Sequence, residues 1–298
     1  MALSLAVLSA VPAGAVSPPV VVFQAESGAG WAMAQRCQTI WHDEGGRLTE
    51  LLLPANTATD TVVCQVLSTA SFGRVFGSRL PDWGVGVALS SGQLIAVDYS
   101  RLPAVGRGLR EVFLHEMVHA LLFQGSQGQW LPTWIHEGAA MRYAGEWRFV
   151  DTVSLLLDGQ VPALERLQGP FPSTAQRADR AYRTSLLAVD RLVRQYGDTV
   201  IRDLVAATGR RTPFAVAFGA VTGTSDREFY RNFAAAMHWR YGWLVLATRW
   251  PGMFAILALV LLIGGGRKLY HTRRRLAEMD DDPDDMPDET PDETPLSD

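Results

Sequence analysis

Lysine is nearly absent from this chain of 298 residues: one lysine stands against 26 arginines. The bias reads as the codon usage of a GC-rich genome rather than as function. Basic residues do not gather with aromatics on any predicted sheet, which argues against a nucleic-acid partner. Cysteine is almost as rare. Cys37 and Cys64 are the only two, enough for one disulfide in an oxidising compartment or for two separate buried thiols. Positive charge is missing before Arg36. Long uncharged apolar stretches are confined to the two ends.

Residues 1–15 form a short apolar run that closes on the small-x-small triplet Ala13-Gly14-Ala15. That pattern reads as a secretory signal peptide whose basic leader is missing. A first buried strand is the alternative. Residues 250–266, from Trp250 to Gly266, carry no charge, and Arg267, Lys268, Arg273, Arg274 and Arg275 follow. Seventeen residues is the short limit for a spanning helix, and part of 243–248 extends it if Arg249 snorkels. The expectation is one C-terminal transmembrane helix over 243–266. The basic cluster marks its cytoplasmic side, and Trp239, Tyr241, Trp243 and Trp250 form an interfacial belt on the other. A buried core helix is the alternative. The localisation that follows is a single-pass membrane protein, with the body outside and the carboxyl end in the cytoplasm.

From Glu278 to Asp298 the chain holds eleven acidic residues and no basic one, with Pro-Asp-Glu-Thr repeated at 287–290 and 291–294. Such a tail buries no core and is expected to be disordered. It also hides the balance of the rest. The net charge of −4 becomes about +7 without those eleven negatives, and five of the positives belong to the juxtamembrane cluster. The body is therefore nearly neutral.

The centre of the chain carries chemistry. Residues 115–119 read His-Glu-Met-Val-His, and Glu137 follows inside Trp-Ile-His-Glu-Gly. On a helix, positions i and i+4 share a face, so His115 and His119 can aim at one ion. Glu116, one residue along, reaches a water on that ion without ligating it, as a general base does in this motif. Glu137 is the candidate third ligand, which leaves a fourth tetrahedral position for water or substrate, as a catalytic Zn2+ requires. Val112, Phe113, Met117, Val118, Leu121 and Leu122 cover most of the helix circumference, which points to a buried helix. Buried histidines and a buried carboxylate need partners, and a metal supplies them. Pro132 and Thr133 mark the start of the helix that carries Glu137. A chance match to the five-residue motif is the competing reading.

The segments Leu-His-Glu-Met-Val-His-Ala-Leu-Leu and Leu-Pro-Thr-Trp-Ile-His-Glu-Gly-Ala-Ala-Met-Arg-Tyr resemble the gluzincin zinc metallopeptidases, and within them the peptidase MA-like domains. The resemblance runs from about Val20 to Tyr241 and is strongest over residues 109–143. It implies a Zn2+ cofactor held by His115, His119 and Glu137, with Glu116 as general base and a peptide or protein as substrate. It also implies a helix over 181–197 after the site, and places Tyr182 where the family has a recurring tyrosine. Tyr182 is thus the candidate hydrogen-bond donor to the reacting carbonyl; an ordinary packing role is the alternative. Two departures matter. The spacer between His119 and Glu137 is one residue shorter than is usual in the gluzincin aminopeptidases. No Gly-x-Met-Glu-Asn segment precedes the motif, so nothing corresponds to their anchor for a substrate amino terminus.

The remaining elements predict the layout. Val20–Phe23 and Thr61–Leu67 read as strands, and Gly30–Leu53 as a helix interrupted at Gly45-Gly46. Trp83–Leu89 and Gln93–Asp98 read as a hairpin through residues 90–92. Its glycines, Gly84 and Gly86, would allow an extended substrate to approach the strand closely, unless they only mark a bulge. Helices follow at Ala181–Tyr196, Val200–Ala207, Pro213–Val221 and Asp226–Tyr241. The expected fold class is α+β: a small β-sheet, then a helical half, with the zinc site between them. The expected division is 1–15 signal, 16–242 metallopeptidase domain, 243–266 anchor, and 267–298 juxtamembrane segment and tail.

Other polar residues carry weaker signals. His136 points about 100° away from Glu137 on a helix and should not ligate. Asp179 and Asp190 are candidates to hydrogen-bond a ligating imidazole. Tyr143 is core or a supporting partner, and His42, His238 and His271 have no meaningful spacing. The function read from the sequence is a membrane-anchored zinc metallopeptidase acting outside the cytoplasm. The alternatives are a catalytically idle relative used for binding or signalling, and an enzyme that cuts a non-peptide amide.

Overall fold

β-Branched runs become strands where their pattern predicts them, and the helices between them set the strand order. In the computed structural model, the described residues are 16–55, 57–77, 84–89, 91–146, 161–248 and 250–280. The expected signal segment 1–15, the tail beyond 280, and Trp83, Ser90 and Arg249 lie outside them. Among the described residues four strands form one sheet, β1 (Val21–Ala25), β2 (Val62–Leu67), β3 (Gly86–Ala88) and β4 (Leu94–Asp98), in the order β1-β2-β4-β3. β1, β2 and β4 run parallel, and β3 lies antiparallel to β4 at one edge. The hairpin is therefore real, but the rest of the sheet is parallel. Parallel strands need a crossover, and α1 (Gly28–Leu52) makes the one between β1 and β2.

α1 is continuous, contrary to the interruption expected at Gly45-Gly46. Gly45 is buried, and a Cβ there would come within 2.8 Å of the Trp41 indole. That glycine makes room for the indole, whose Nε1 donates to the Pro19 carbonyl at 3.2 Å. Packing of α1 on the sheet and on α3 outweighs the cost of about 1 kcal/mol that a helical glycine brings. Val62, Cys64 and Val66 of β2 alternate into this main core. A second short helix, α2 (Thr69–Phe76), covers a smaller cluster in which Phe72 and Phe76 meet Ala96.

The helical part comprises α3 (Leu109–Gly125), α4 (Thr133–Ala144), α5 (Ala175–Tyr196), α6 (Val200–Gly209), α7 (Phe214–Thr222) and α8 (Asp226–Thr248). A 3₁₀ turn at Leu164–Leu167 precedes α5. The protein is thus α+β, a small sheet with a mostly helical remainder. α3 is buried around nearly its whole circumference, as its apolar coverage predicts. α4 is held by Trp134, which is fully buried between Phe229 and Tyr230. Truncating such a residue costs about 3–5 kcal/mol.

The chain divides into two compact units, one up to Gly242 and one from Trp243. The second contains α9 (Trp250–Asp280). The spanning helix expected over 243–266 is not found: among the described residues no helix is long and apolar enough to cross a membrane. Residues 243–248 close α8, while α9 opens at Trp250. The uncharged stretch 250–266 is 17 residues, which as a helix rises about 26 Å, short of the roughly 30 Å of a hydrocarbon core. Cys37 and Cys64 are free buried thiols and form no disulfide.

Candidate metal centre

α3 and α4 bring three donors to one point. His115 and His119 lie one turn apart on α3, with their Nε2 atoms 3.1 Å from each other. Glu137, in the first half of α4, places Oε2 at 3.4 Å from His115 Nε2 and 3.5 Å from His119 Nε2. Ligands bound at about 2.0–2.1 Å around a tetrahedral ion lie roughly 3.3 Å apart. The observed triangle fits that spacing, so the group could hold a metal ion. A second observation agrees. Among the described residues Glu137 Oε2 is buried with no hydrogen-bond partner, an orphaned acceptor of the kind that a cation satisfies.

Packing explains how α4 comes so near. Gly138 follows Glu137, and a Cβ there would overlap the Ser185 carbonyl oxygen of α5 and lie 2.6 Å from Val189 Cγ2. Only a glycine lets the α4 and α5 backbones approach this closely. Glu137 is thereby turned towards α3, and α5 brings Tyr182 to the same space. A cavity of about 500 Å³ opens onto the donors. Its walls include residues 84–88, the last three of them the edge strand β3, Val112 of α3, Met141 of α4 and Tyr182 of α5. The site therefore lies between the sheet edge and the helices.

Glu116 is buried and lines the same cavity. Burial pushes its carboxyl above the ordinary value, with the imidazoles of His115 and His119 pulling the other way. Gly86 of β3 leaves room for it: a Cβ at that position would overlap Glu116 Oε1. The group nearest to Gly86 is thus the side chain of Glu116. Burial opposes ionisation of Glu137 as well, but the neighbouring imidazoles of His119 and His115 hold it far below the usual carboxylate range.

Tyr182 faces the cavity with its ring edge-on to Phe171. Burial, and then the charges of Glu137 and Glu116, push its phenol well up, so it stays protonated at neutral pH. His136 does not belong to the donor group. Its ring packs on Phe123 at 4.6 Å and lies 5.8 Å from that of His119. Burial, followed by the charge of His119, lowers its pKa to about 3. Tyr143 is buried core.

The carboxylate that supports a ligand is neither of the two expected from the sequence. Asp190 pairs with Arg142 and Arg194, and Asp179 with Arg183. Glu146 instead accepts from His115 Nδ1 at 2.7 Å, and its other oxygen pairs with Arg107 at 2.5 Å. Burial raises the Glu146 carboxyl, but His115 and Arg107 outweigh this and lower it. The available signal was Gly145, a left-handed cap that ends α4 and turns the next residue back towards α3. No protein-family model matches the chain, and no curated protein matches it.

Proposed function

We propose that the protein is a zinc metallopeptidase of the gluzincin type, with His115, His119 and Glu137 as ligands. The observation that carries this reading is the triangle of 3.1, 3.4 and 3.5 Å between three donor atoms, one of them a buried carboxylate oxygen without a hydrogen-bond partner among the described residues. Two imidazoles and a carboxylate with an open position are a catalytic zinc donor set. A zinc ion there would supply Lewis acidity and a bound water acidified to near neutral pH.

The chain's own residues do the rest. Glu116 accepts a proton from the attacking water at its carboxylate and returns it to the leaving nitrogen. Tyr182 donates its phenolic hydrogen to the carbonyl oxygen as negative charge develops there. Residues 84–88, at the sheet edge beside the cavity, would pair with an extended peptide by strand addition. An idle binding module would have no use for a buried carboxylate at residue 116, so the presence of Glu116 supports the enzyme.

We infer an extracytoplasmic site from the apolar segment 1–15, read as a signal peptide. Leu257, Leu259, Leu261 and Leu262 are exposed on α9, ahead of the basic cluster, and exposed apolar surface of this kind marks membrane or protein contact. The test is metal analysis of the purified full chain, together with a peptide-library cleavage assay on wild type and Glu116→Gln. We expect about one zinc per chain in both, and turnover reduced about 10²–10⁴-fold in the variant. A metal-free, inactive wild type with intact fold overturns the reading.

A further inference from the structure

The His115 ring is gripped at both nitrogens by residues of one chain segment. Glu137 of α4 lies 3.4 Å from Nε2, and Glu146, just past the end of α4, accepts from Nδ1 at 2.7 Å. The segment that carries Glu146 is fixed in turn. Gly145 takes the left-handed conformation with φ 79°, and the Glu146 amide donates to the Met141 carbonyl at 3.0 Å. Arg110 of α3 donates to the Ala144 carbonyl at 3.0 Å and pairs with both oxygens of Glu44 on α1 at 2.6 Å. The side chain of Glu146 is only 4% exposed, and Arg107 occupies its second oxygen.

We propose that Glu146, held by Arg107, is a positioning residue for the metal. By accepting the Nδ1 hydrogen it fixes the imidazole tautomer in which His115 Nε2 offers its lone pair to the ion. With both oxygens engaged, Glu146 is also kept from turning to the ion itself, so the fourth position stays open for water. This inference rests on reading the three donors as a metal centre. It adds two residues to that centre and a reason for the turn at Gly145.

The experiment uses the full chain, stripped of metal, in wild type, Glu146→Ala, Glu146→Gln and Arg107→Met. Zinc affinity is measured by competition with a chromophoric chelator, and the His115 tautomer by imidazole ¹⁵N shifts in the metal-free protein titrated to the pH at which that imidazole is neutral. Glu146→Ala should weaken zinc about 10–100-fold and lose the Nδ1-protonated signature. Glu146→Gln keeps an acceptor oxygen without the charge, so it should retain the tautomer and lose less affinity. Arg107→Met should fall between wild type and Glu146→Ala. A role confined to folding would move the melting temperature and leave the tautomer unchanged.

The proposal is overturned if folded Glu146→Ala binds zinc as wild type does, or if His115 carries its proton on Nε2 in wild type. Should Glu146→Ala fail to fold, Arg107→Met carries the test, and wild-type affinity in that variant is the overturning result. A wild type that binds no zinc sinks the proposed function, whereas the tautomer measurement still decides the role of Glu146.

Discussion

Gly86 of the edge strand lies directly against the carboxylate of Glu116 on α3. A Cβ at residue 86 would overlap Oε1 and come within 2.9 Å of both Cδ and Cγ. Strand and base share one volume, so the glycine determines where the base can sit. Gly86→Ala should therefore displace Glu116 while leaving His115, His119 and Glu137 in place. We expect turnover to fall about 100-fold, the cost of a displacement near 1 Å, with zinc content unchanged. Kinetics paired with metal analysis check this, and full activity in the variant would show that Glu116 acts from elsewhere.

Gly138 makes the corresponding contact between α4 and α5. An added methyl meets the Ser185 carbonyl and Val189, and a backbone oxygen cannot rotate away. Gly138→Ala should destabilise by about 1–3 kcal/mol, seen as a fall in Tm on the order of 2–12 °C. A melting curve identical to wild type would contradict the close approach of the two helices.

His136 gives the pH prediction. Its pKa is lowered to about 3 by burial and by His119, while the unfolded chain titrates near 6.5. A depressed histidine contributes stability that is present above about pH 6.5 and is lost as pH falls towards the folded value. A cation bound at His119 would press in the same direction. His136→Leu removes a buried Nδ1 that has no partner, so it should be near neutral at pH 7.5. Below pH 6.5 it should gain on wild type by up to about 1.4 kcal/mol per pH unit. Urea unfolding at pH 7.5 and 5 measures the difference, and parallel curves at the two pH values would refute it.

The cysteines give a chemical prediction. Burial raises the Cys37 thiol to about 12 and that of Cys64 well above its ordinary value, and the thiolate is the reactive form. Both should resist iodoacetamide at pH 8 in the native protein and react readily in urea. Rapid native labelling of either would contradict the core packing.

Much of the site is legible in the sequence because it rests on local periodicity. His115 and His119 share a face because the helix repeats every 3.6 residues, and the apolar residues around them declare that the helix is buried. The strands over 62–67 and 94–98 are legible from β-branched composition. Their parallel pairing is not, since β1, β2 and β4 meet across long crossovers that leave no local mark. α1 shows the same limit in reverse. Its two glycines predict a break, but the Trp41 indole packs over Gly45 and the helix runs on. Glu146 was missed because its bond to His115 spans 31 positions and no spacing rule relates the two.

The sequence by itself determined the donor types, their order and the one-turn spacing on α3, because helical geometry depends only on neighbouring residues. Tertiary structure alone decided that Glu137 comes within 3.5 Å of both imidazoles, that Glu146 rather than Asp179 or Asp190 supports His115, and that Gly86 confines Glu116. Distances between separate elements follow from which surfaces pack together. Here they were set by Gly138 between α4 and α5, the cap at Gly145, and the edge strand lying against α3.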